Sequence, residues 1–436
     1  MMEVEKKSIK NEKLAAALSI IPGLGQLYNK QIIKGILFLA VAILFAYELN
    51  IFGIQAIYDL VTLGTTPMED HSLFMMIRGT LQVLVTVIFL FFYIYNIYDA
   101  KKVASHWNTG IHVNKTFREL FDNVYKNGFP YLLIVPAYLA MIFAIIFPVL
   151  VTIFIAFMDY SIMNMPPAKL LSWVGLENFL KIFTLSTFRD AFTSVLSWTI
   201  IWTLCATTLQ IVLGVFTAVI ANQPFIKGKR IFGVIFLLPW AVPAFITIMS
   251  FSNMFNDSVG AINTQVIPFL NNFIPFMDIG RIAWKTDPYW TKVAIIMIQG
   301  WLGFPYIYVM TTSILQAIPE GLYEAAKIDG AGAFRRFRDI TMPTVFAVAA
   351  PVFVTQYTGN FNNFTMIYLF NDGGPGSAGG GAGQTDILIS WIFKLTTNNS
   401  PQYSLAAALT IIVSFIVIGV SLIVFKRTNA FNMEDE

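Results

Sequence analysis

Residues Pro319–Pro343 read P-E-G-L-Y-E-A-A-K-I-D-G-A-G-A-F-R-R-F-R-D-I-T-M-P, a charge-bearing stretch between two strongly apolar runs, Val293–Ala317 and Thr344–Phe370. Pro319 suits the first helical position and Glu320 the positive end of the helix dipole. The helix is predicted to run to Ile328, with Gly330 taking the left-handed conformation that closes it. Beyond the turn at Gly330-Ala331-Gly332, Phe334 and Phe337 stand three apart on one helical face, and Arg335, Arg336 and Arg338 fill the rest. The product is a paired-helix knob, apolar on one side and presented by a membrane domain. Two helices around a glycine turn with arginines nearby also describe a DNA-reading element. Flanking runs long enough to cross a bilayer argue against nucleic acid as the partner. A plain cytosolic loop whose arginines only fix orientation is the simpler alternative.

The composition agrees with a membrane setting. Of 436 residues, 56% are hydrophobic and 12% charged, and the mean hydropathy is +0.67. A soluble chain carries about a quarter charged residues, so this is a polytopic membrane protein. The one cysteine, Cys205, lies in an apolar run, which leaves neither a disulfide framework nor a thiolate metal site. His71, His106 and His112 lie in loops without ligand spacing, and no metal is expected. The net charge of +3 comes mainly from loop lysines and arginines. It reports orientation in the membrane rather than affinity for nucleic acid.

Outward from the knob, the spans follow one another. Met1–Lys13 is short, polar and lysine-rich; Leu14–Tyr28 is broken by Pro22, Gly23 and Gly25 and reads as an interfacial or re-entrant segment. Ile32–Ile51 and Gly79–Ile97 are long enough to cross, with Asp59, Glu69 and Asp70 in the loop between them. A polar stretch from Asp99 to Gly128 carries Lys101, Lys102, Lys115, Arg118 and Lys126. Then come Tyr131–Met158, Ala191–Ala221, Ile231–Phe255, the two runs that flank the knob, and Tyr403–Phe425. The fold class expected is an all-α polytopic membrane protein with about eight transmembrane helices. With both termini in the cytosol, roughly twenty lysines and arginines lie inside and roughly eight outside, which sets the orientation as N-in, C-in. Residues 1–128 read as an appended N-terminal part with two extra helices and the loop that follows. Residues 129–436 read as a six-helix core containing the 319–343 loop. The outer loop Asp159–Asp190 is too short for an independent core.

No G-x-x-x-x-G-K-[ST] occurs, so the chain carries no phosphate-binding loop of its own. The glycine-rich run Asp372–Gly383, D-G-G-P-G-S-A-G-G-G-A-G, lacks the lysine and reads as an external flexible linker and turn. Energy must come from a partner or an ion gradient. An ion-coupled transporter needs ionisable groups or unwound carbonyl sites within its spans, and the six core spans hold no Asp, Glu, Lys, Arg or His in their interiors. They hold Gln299, Trp301, Tyr306 and Tyr308 in one span, and Gln356, Tyr357, Asn360, Asn362 and Asn363 in another. Gln356, Asn360 and Asn363 share a helical face by their spacing. Such amides serve either as interhelical glue or as a pore-lining face that hydrogen-bonds hydroxyls while aromatic rings stack on the apolar faces of a sugar. Neutral polar groups with aromatics suit a neutral polyol better than a charged solute. No nucleophile–base pair, metal cluster or cofactor fingerprint stands out, so the chain does not read as an enzyme.

The run Glu324-Ala325-Ala326-x-x-x-Gly330, followed after nine residues by Ile340-x-Met342-Pro343, resembles the EAA loop of bacterial ABC importer permeases. Met342 stands where that family usually has leucine, a volume-conserving change. L-P-W-A-V-P-A-F at Leu238–Phe245, W-L-G-F-P-Y at Trp301–Tyr306, N-F-N-N-F at Asn360–Phe364 and N-D-G-G-P at Asn371–Pro375 are similar to segments of the larger permease subunit of maltose and maltodextrin importers, the MalF type. Together these cover most of the chain from Gly228 to the C-terminus, whereas the stretch up to about Lys126 draws little from the likeness. The resemblance implies a permease subunit of an ATP-driven importer of maltose/maltodextrin-type oligosaccharides, multi-pass in the lipid of a bacterial plasma membrane. It implies a homologous second permease chain, two ATPase subunits and an extracellular sugar-binding protein as partners. ATP and magnesium would be held by the ATPase, and this chain by itself would bind no cofactor.

In the resembled family the loop fits a cleft on the ATPase and carries its closing motion to the membrane. That role falls here on Glu324, Ala325, Ala326, Asp329, Gly330, Phe334 and Phe337. Carried over position by position, the family's sugar contacts fall on Trp240, Ala244, Leu302, Gly303, Tyr306, Gln356, Gly359, Asn360 and Asn363. Two positions depart from the family: Gly359 stands where it has a stacking aromatic, and Gln356 where it has a small hydroxyl residue. The first removes a stacking face and leaves the sugar's length and placement open. Two other readings stand beside this one. One is a permease of the same class for another sugar or a glycerol derivative; the other is a non-transporting membrane scaffold that uses the loop only for recruitment.

Overall fold

The computed structural model describes residues 10–109, 111, 116–223, 225–274 and 278–427. His112, Lys115 and most of the lysine-rich N-terminal stretch lie outside the described residues. Among the described residues the regular structure is helical, with isolated β-bridges and no strand. Among these residues seven helices are long and apolar enough to cross a membrane, or eight if one sharply bent pair counts as a single span. By packing, the chain divides into two units, Met1–Gly175 and Leu176–Glu436. This division falls later than the 128/129 boundary read from the sequence. The helix that begins at Phe129 ends with Val151, Phe154 and Ile155 packed around buried Leu63 and Met76 of the first unit.

In the first unit, α1 (Ile32–Thr62), α2 (Ser72–Thr109) and α3 (Phe129–Ala156) are the membrane-length helices. The sequence reading ends the first span at Ile51 and puts Asp59 in a loop. The structure instead carries α1 on through a π-helical turn at Leu49–Gly53. Asp59 is consequently buried, held by Gln55 at 2.8 Å and facing Arg78 at 3.6 Å. Close approach makes this possible: a Cβ on Gly79 would stand 2.4 Å from that of Leu60. The segment before α1 forms two helices too short to cross, Glu12–Leu18 and Leu24–Tyr28. They dock on α2, where Asn96 donates to the Ser19 carbonyl at 2.8 Å and accepts from the Gly23 N–H at 3.2 Å.

The second unit is built on α4 (Ser186–Ala221). It continues with α5 (Lys229–Ala241), α6 (Ala244–Met254), α7 (Pro288–Ala317), α8 (Glu320–Ile328) and α9 (Met342–Phe361). It closes with α10 (Phe364–Asn371), α11 (Leu388–Thr397) and α12 (Tyr403–Arg427). Helices α4 and α7 form its axis. Without apolar solvent exclusion to drive them together, helices in lipid associate where small residues let backbones meet. Gly214 of α4 does this, since an added Cβ would lie 2.4 Å from the Ile307 Cβ and 2.8 Å from the Phe304 carbonyl oxygen. Trp198, Trp202, Ile295, Ile298, Met366, Ile367 and Phe370 fill the core beside this crossing. Gly214→Val is expected to push the two helices apart at a cost of roughly 1–3 kcal/mol, seen as a lower melting temperature in detergent. An unchanged melting temperature would mean the crossing does not depend on that close approach.

The stretch Ile231–Phe255, read from the sequence as one span, is two helices bent by 86°. The cause is local. Val242 precedes a proline and is driven out of the helical region to φ −116°, ψ 135°, and Pro243, at φ −52°, ψ 134°, is the N-cap of α6. The glycine-rich run 372–383 also departs from its reading as a flexible linker. Gly373, at φ +69°, carries the chain so close to Asp386 that no Cβ fits, and Gly380, at φ +55°, lies against Phe188 and Trp391. The loop is tied down by Trp391 Nε1 donating to the Gly380 carbonyl at 2.8 Å and Trp198 Nε1 donating to that of Thr385 at 3.0 Å. These glycines serve a tight fold rather than slack.

Candidate functional site

The neutral amides singled out in the sequence meet in one hydrogen-bonded network across α4, α7 and α9. Asn360 of α9 is 4% exposed. Its Nδ2 donates to Thr207 Oγ1 at 2.9 Å and to Gln210 Oε1 at 3.2 Å. Asn363 Nδ2 donates to Gln299 Oε1 at 3.0 Å, and its Oδ1 caps α10 by accepting from the Met366 N–H at 3.2 Å. Gln299 Nε2 in turn donates to Gln210 Oε1 at 3.3 Å, and Gln210 Nε2 donates to Gln356 Oε1 at 2.9 Å. The Trp202 indole N–H holds the Asn360 carbonyl at 2.8 Å. A buried amide is costly unless satisfied, and this arrangement satisfies Asn360 wholly from within the chain.

The other sequence-predicted residues lie differently. Trp240 at the end of α5 is 51% exposed and Tyr306 of α7 40% exposed, with ring centroids 6.1 Å apart and planes tilted by 39°. Ala244 and Gly359 are exposed, and a Cβ on Gly359 would meet nothing within 4 Å. Leu302, Gly303, Gln356 and Asn363 are half-buried. Gln299, Gly303 and Tyr306 recur at i, i+4 and i+7, so the network and the tyrosine share one face of α7. Gly303 has a specific reason to lack a side chain: a Cβ there would stand 2.0 Å from Gln210 Oε1. An open apolar cleft of about 270 Å³ lies in the bend between α5 and α6, lined by Leu238, Val242, Phe251 and Trp301 among others.

Thr207, Gln210 and Trp202 were missed by the sequence reading, which looked for polar residues only on the spans bearing the recognised segments. A glutamine inside an apolar run was the available signal. Charge stays at the margins of these helices. Lys292, in the second turn of α7, sets its ammonium 4.7 Å from the centre of the Trp198 ring. In the loop before α7, Lys285 donates to Ser252 Oγ at 2.6 Å, and burial pushes its pKa below the ordinary lysine value. Among the described residues no cluster of three or more His, Cys, Asp or Glu could hold a metal. What the site offers is neutral hydrogen bonding and exposed aromatic surface.

The 319–343 knob forms the helix pair expected, with one refinement: Pro319 sits at the N-cap rather than at the first helical position. As read from the sequence, α8 ends at Ile328 and Gly330 is left-handed, with φ +77°. The Ala331 N–H returns to the Ala326 carbonyl at 2.8 Å, closing the helix end as a left-handed glycine allows. The second helix is a single turn, Ala333–Arg336, running through a π turn at Phe337–Thr341 into α9. Tyr323 Oη and Thr341 Oγ1 meet at 2.9 Å and tie the two halves together. Glu324, Ala325, Asp329 and Gly330 are exposed and Ala326 is half-buried. Phe334 is 73% and Ile328 86% exposed. Phe337, one turn on, is half-buried where Phe334 stands open.

Comparison with known proteins places this architecture. The chain is 63% identical over 426 residues to the maltodextrin transport system permease protein MdxF of Bacillus subtilis, covering 98% of each. It is 45% identical over 426 residues to the galactooligosaccharides transport system permease protein GanP of the same organism, covering 98% of this chain and all of that one. Among solved structures, one chain of a bacterial ABC transporter involved in the import of the acidic polysaccharide alginate superposes with a TM-score of 0.57. It is 19% identical, covers 71% of this chain and 98% of that one, and so bears on the fold alone. The family described as binding-protein-dependent transport system inner membrane component matches residues 210–430, which holds the amide network, the aromatic pair and the knob. With its helices and these relatives in agreement, the chain belongs to the binding-protein-dependent transport system inner membrane components.

Proposed function

We propose that this chain is a permease subunit of an ATP-driven importer of maltodextrin-type oligosaccharides. The observation that carries the reading is that Tyr306, which shares a face of α7 with the wholly neutral amide network, stands exposed beside the Trp240 ring of α5. Aromatic faces suit the apolar faces of a sugar ring, and neutral amides suit its hydroxyls. An ion-driven carrier would need ionisable groups along the path; charged residues of the membrane helices of the second unit, such as Lys292, sit near helix ends. Identity to a maltodextrin permease exceeds identity to a galactooligosaccharide permease, which favours the former as solute class.

On this reading Trp240, Ala244, Leu302, Gly303, Tyr306, Gln356, Gly359 and Asn363 line the sugar's way, and Asn360, being buried, positions them. Exposed Gly359 leaves open space where a side chain would otherwise stand, so stacking rests on Trp240 and Tyr306. The N-in, C-in orientation puts the knob in the cytosol, where it receives a partner ATPase that binds ATP and magnesium. A second permease chain, a second ATPase and an external binding protein complete the importer. Residues 1–128 act as an anchor appended to the transporting core.

The test is reconstitution of the whole complex in proteoliposomes with internal ATP. Uptake of a labelled maltodextrin that unlabelled galactooligosaccharide competes poorly is the expected result; preferential uptake of the latter, or none, would reject the reading. Trp240→Ala should remove about 1 kcal/mol of ring contact, about a fivefold fall in uptake at limiting sugar. Unchanged uptake would show that the exposed indole meets something other than sugar.

A further inference from the structure

We propose that Gln210 is a positioning residue for the solute: its buried amide fixes which end of the Gln356 amide meets a sugar hydroxyl, and thereby biases which oligosaccharides pass. The inference rests on the oligosaccharide-permease reading above. Gln210 lies in the second half of α4 and is 0% exposed. Its Oε1 accepts twice, from Gln299 Nε2 at 3.3 Å and from Asn360 Nδ2 at 3.2 Å. An amide oxygen with two lone pairs engaged in this way leaves the Nε2 end to face α9 as a donor. Gln356 must answer with its carbonyl, at 2.9 Å. Its own Nε2 is thereby turned away from the network. Gln356 is half-buried, and that nitrogen has no partner among the described residues. It is a donor with a set direction and nothing among the described residues to receive it, which is the chemistry a sugar hydroxyl oxygen answers.

Space for this arrangement is built into α7. Gly303 is the residue over which Gln210 Oε1 lies, at a distance that any Cβ would occupy. The glycine is therefore accounted for by the glutamine. Simple glue between helices would need only a partner for Asn360, which Thr207 already supplies. Gln210 does more, because it is joined to side chains of both α7 and α9 and its orientation decides that of the half-exposed Gln356 amide.

The experiment uses the complete complex in proteoliposomes with saturating binding protein and two maltodextrins of different length, whose uptake rates are compared as a ratio. Gln210→Met keeps the volume and removes all three bonds, freeing the Gln356 amide to turn. The ratio is expected to shift about three- to tenfold, the size of one hydrogen bond. In a Gln356→Leu background the same substitution should shift it no further, because the group it acts through is gone. Gln210→Leu, measured in parallel, guards against a folding failure of the methionine variant. Two rates that fall in step at an unchanged ratio, or an equal shift in the Gln356→Leu background, would overturn the proposal and leave Gln210 as packing. A wild-type complex that moves neither sugar would overturn the importer reading and this inference with it. Wild-type transport with an unmoved ratio overturns this inference alone.

Discussion

Replacing Glu324 by lysine is expected to abolish uptake while leaving the protein in the membrane at its normal level. Glu324 is exposed on α8 and makes no ion pair within the chain among the described residues. A surface change of this kind alters stability by only about 0.5 kcal/mol. The knob holds its shape through Gly330 and the Tyr323–Thr341 contact, neither of which the substitution touches. A reversed charge facing a partner, however, costs several kcal/mol when it meets its like. At about 3 kcal/mol that is a factor on the order of a hundred in coupling. The check is twofold: transport in the reconstituted complex, and retention of the ATPase on the purified permease. Normal uptake would mean that force reaches the membrane by another route. Loss of uptake with full ATPase retention would assign Glu324 to transmission of the motion rather than to docking.

The knob could be read from the sequence because its signals are local. A proline, a first-turn glutamate and a glycine at the turn leave few alternatives, and Gly330 adopts the conformation they call for. The spans were legible for a similar reason, since apolar length is visible residue by residue. The bend at Val242-Pro243 carried its signal too, but a hydropathy run does not register a change of direction. Asp59 shows the opposite failure. Charge suggested a loop, and the structure buries it within α1 because Gln55 and Arg78 attend it. Spacing put Gln356, Asn360 and Asn363 on one face, yet it could not say that Asn360 is sealed inside while Gly359 stands open. Gln210 escaped because its meaning lies in residues many turns distant in sequence, and one glutamine in an apolar run has no period to betray it.

The largest stability effect is expected from Lys394→Met, in α11 against the loop whose glycines looked like slack. Asp386 is 1% exposed, and Lys394 Nζ lies 2.7 Å from its Oδ2. The Gly383 N–H and Ser390 Oγ also donate to that carboxylate, at 2.7 and 2.8 Å. Burial raises the Asp386 pKa above the ordinary carboxylate value, and Lys394 is the chief influence holding it down. Removing one partner of a buried pair costs about 3–5 kcal/mol, and the lower end applies here because Lys394 remains partly exposed. The sign of the pH dependence follows from the raised value. A carboxyl that binds its proton more tightly in the folded chain favours folding below its unfolded pKa, and that contribution is lost as the pH rises through the folded one. Taking Lys394 away raises the folded value further, so the penalty should be greatest near neutral pH and shrink on acidification. Melting in detergent at several pH values reads this directly. Asp386→Asn in the same background should recover most of the loss near neutral pH, because no buried charge then lacks a partner. A penalty flat with pH, or a double variant no better than the single one, would place the work of Lys394 elsewhere. The remaining candidates are its contacts with Asp372, whose carbonyl and carboxylate it meets, and which would then help the Trp391–Gly380 bond hold the glycine loop against α11.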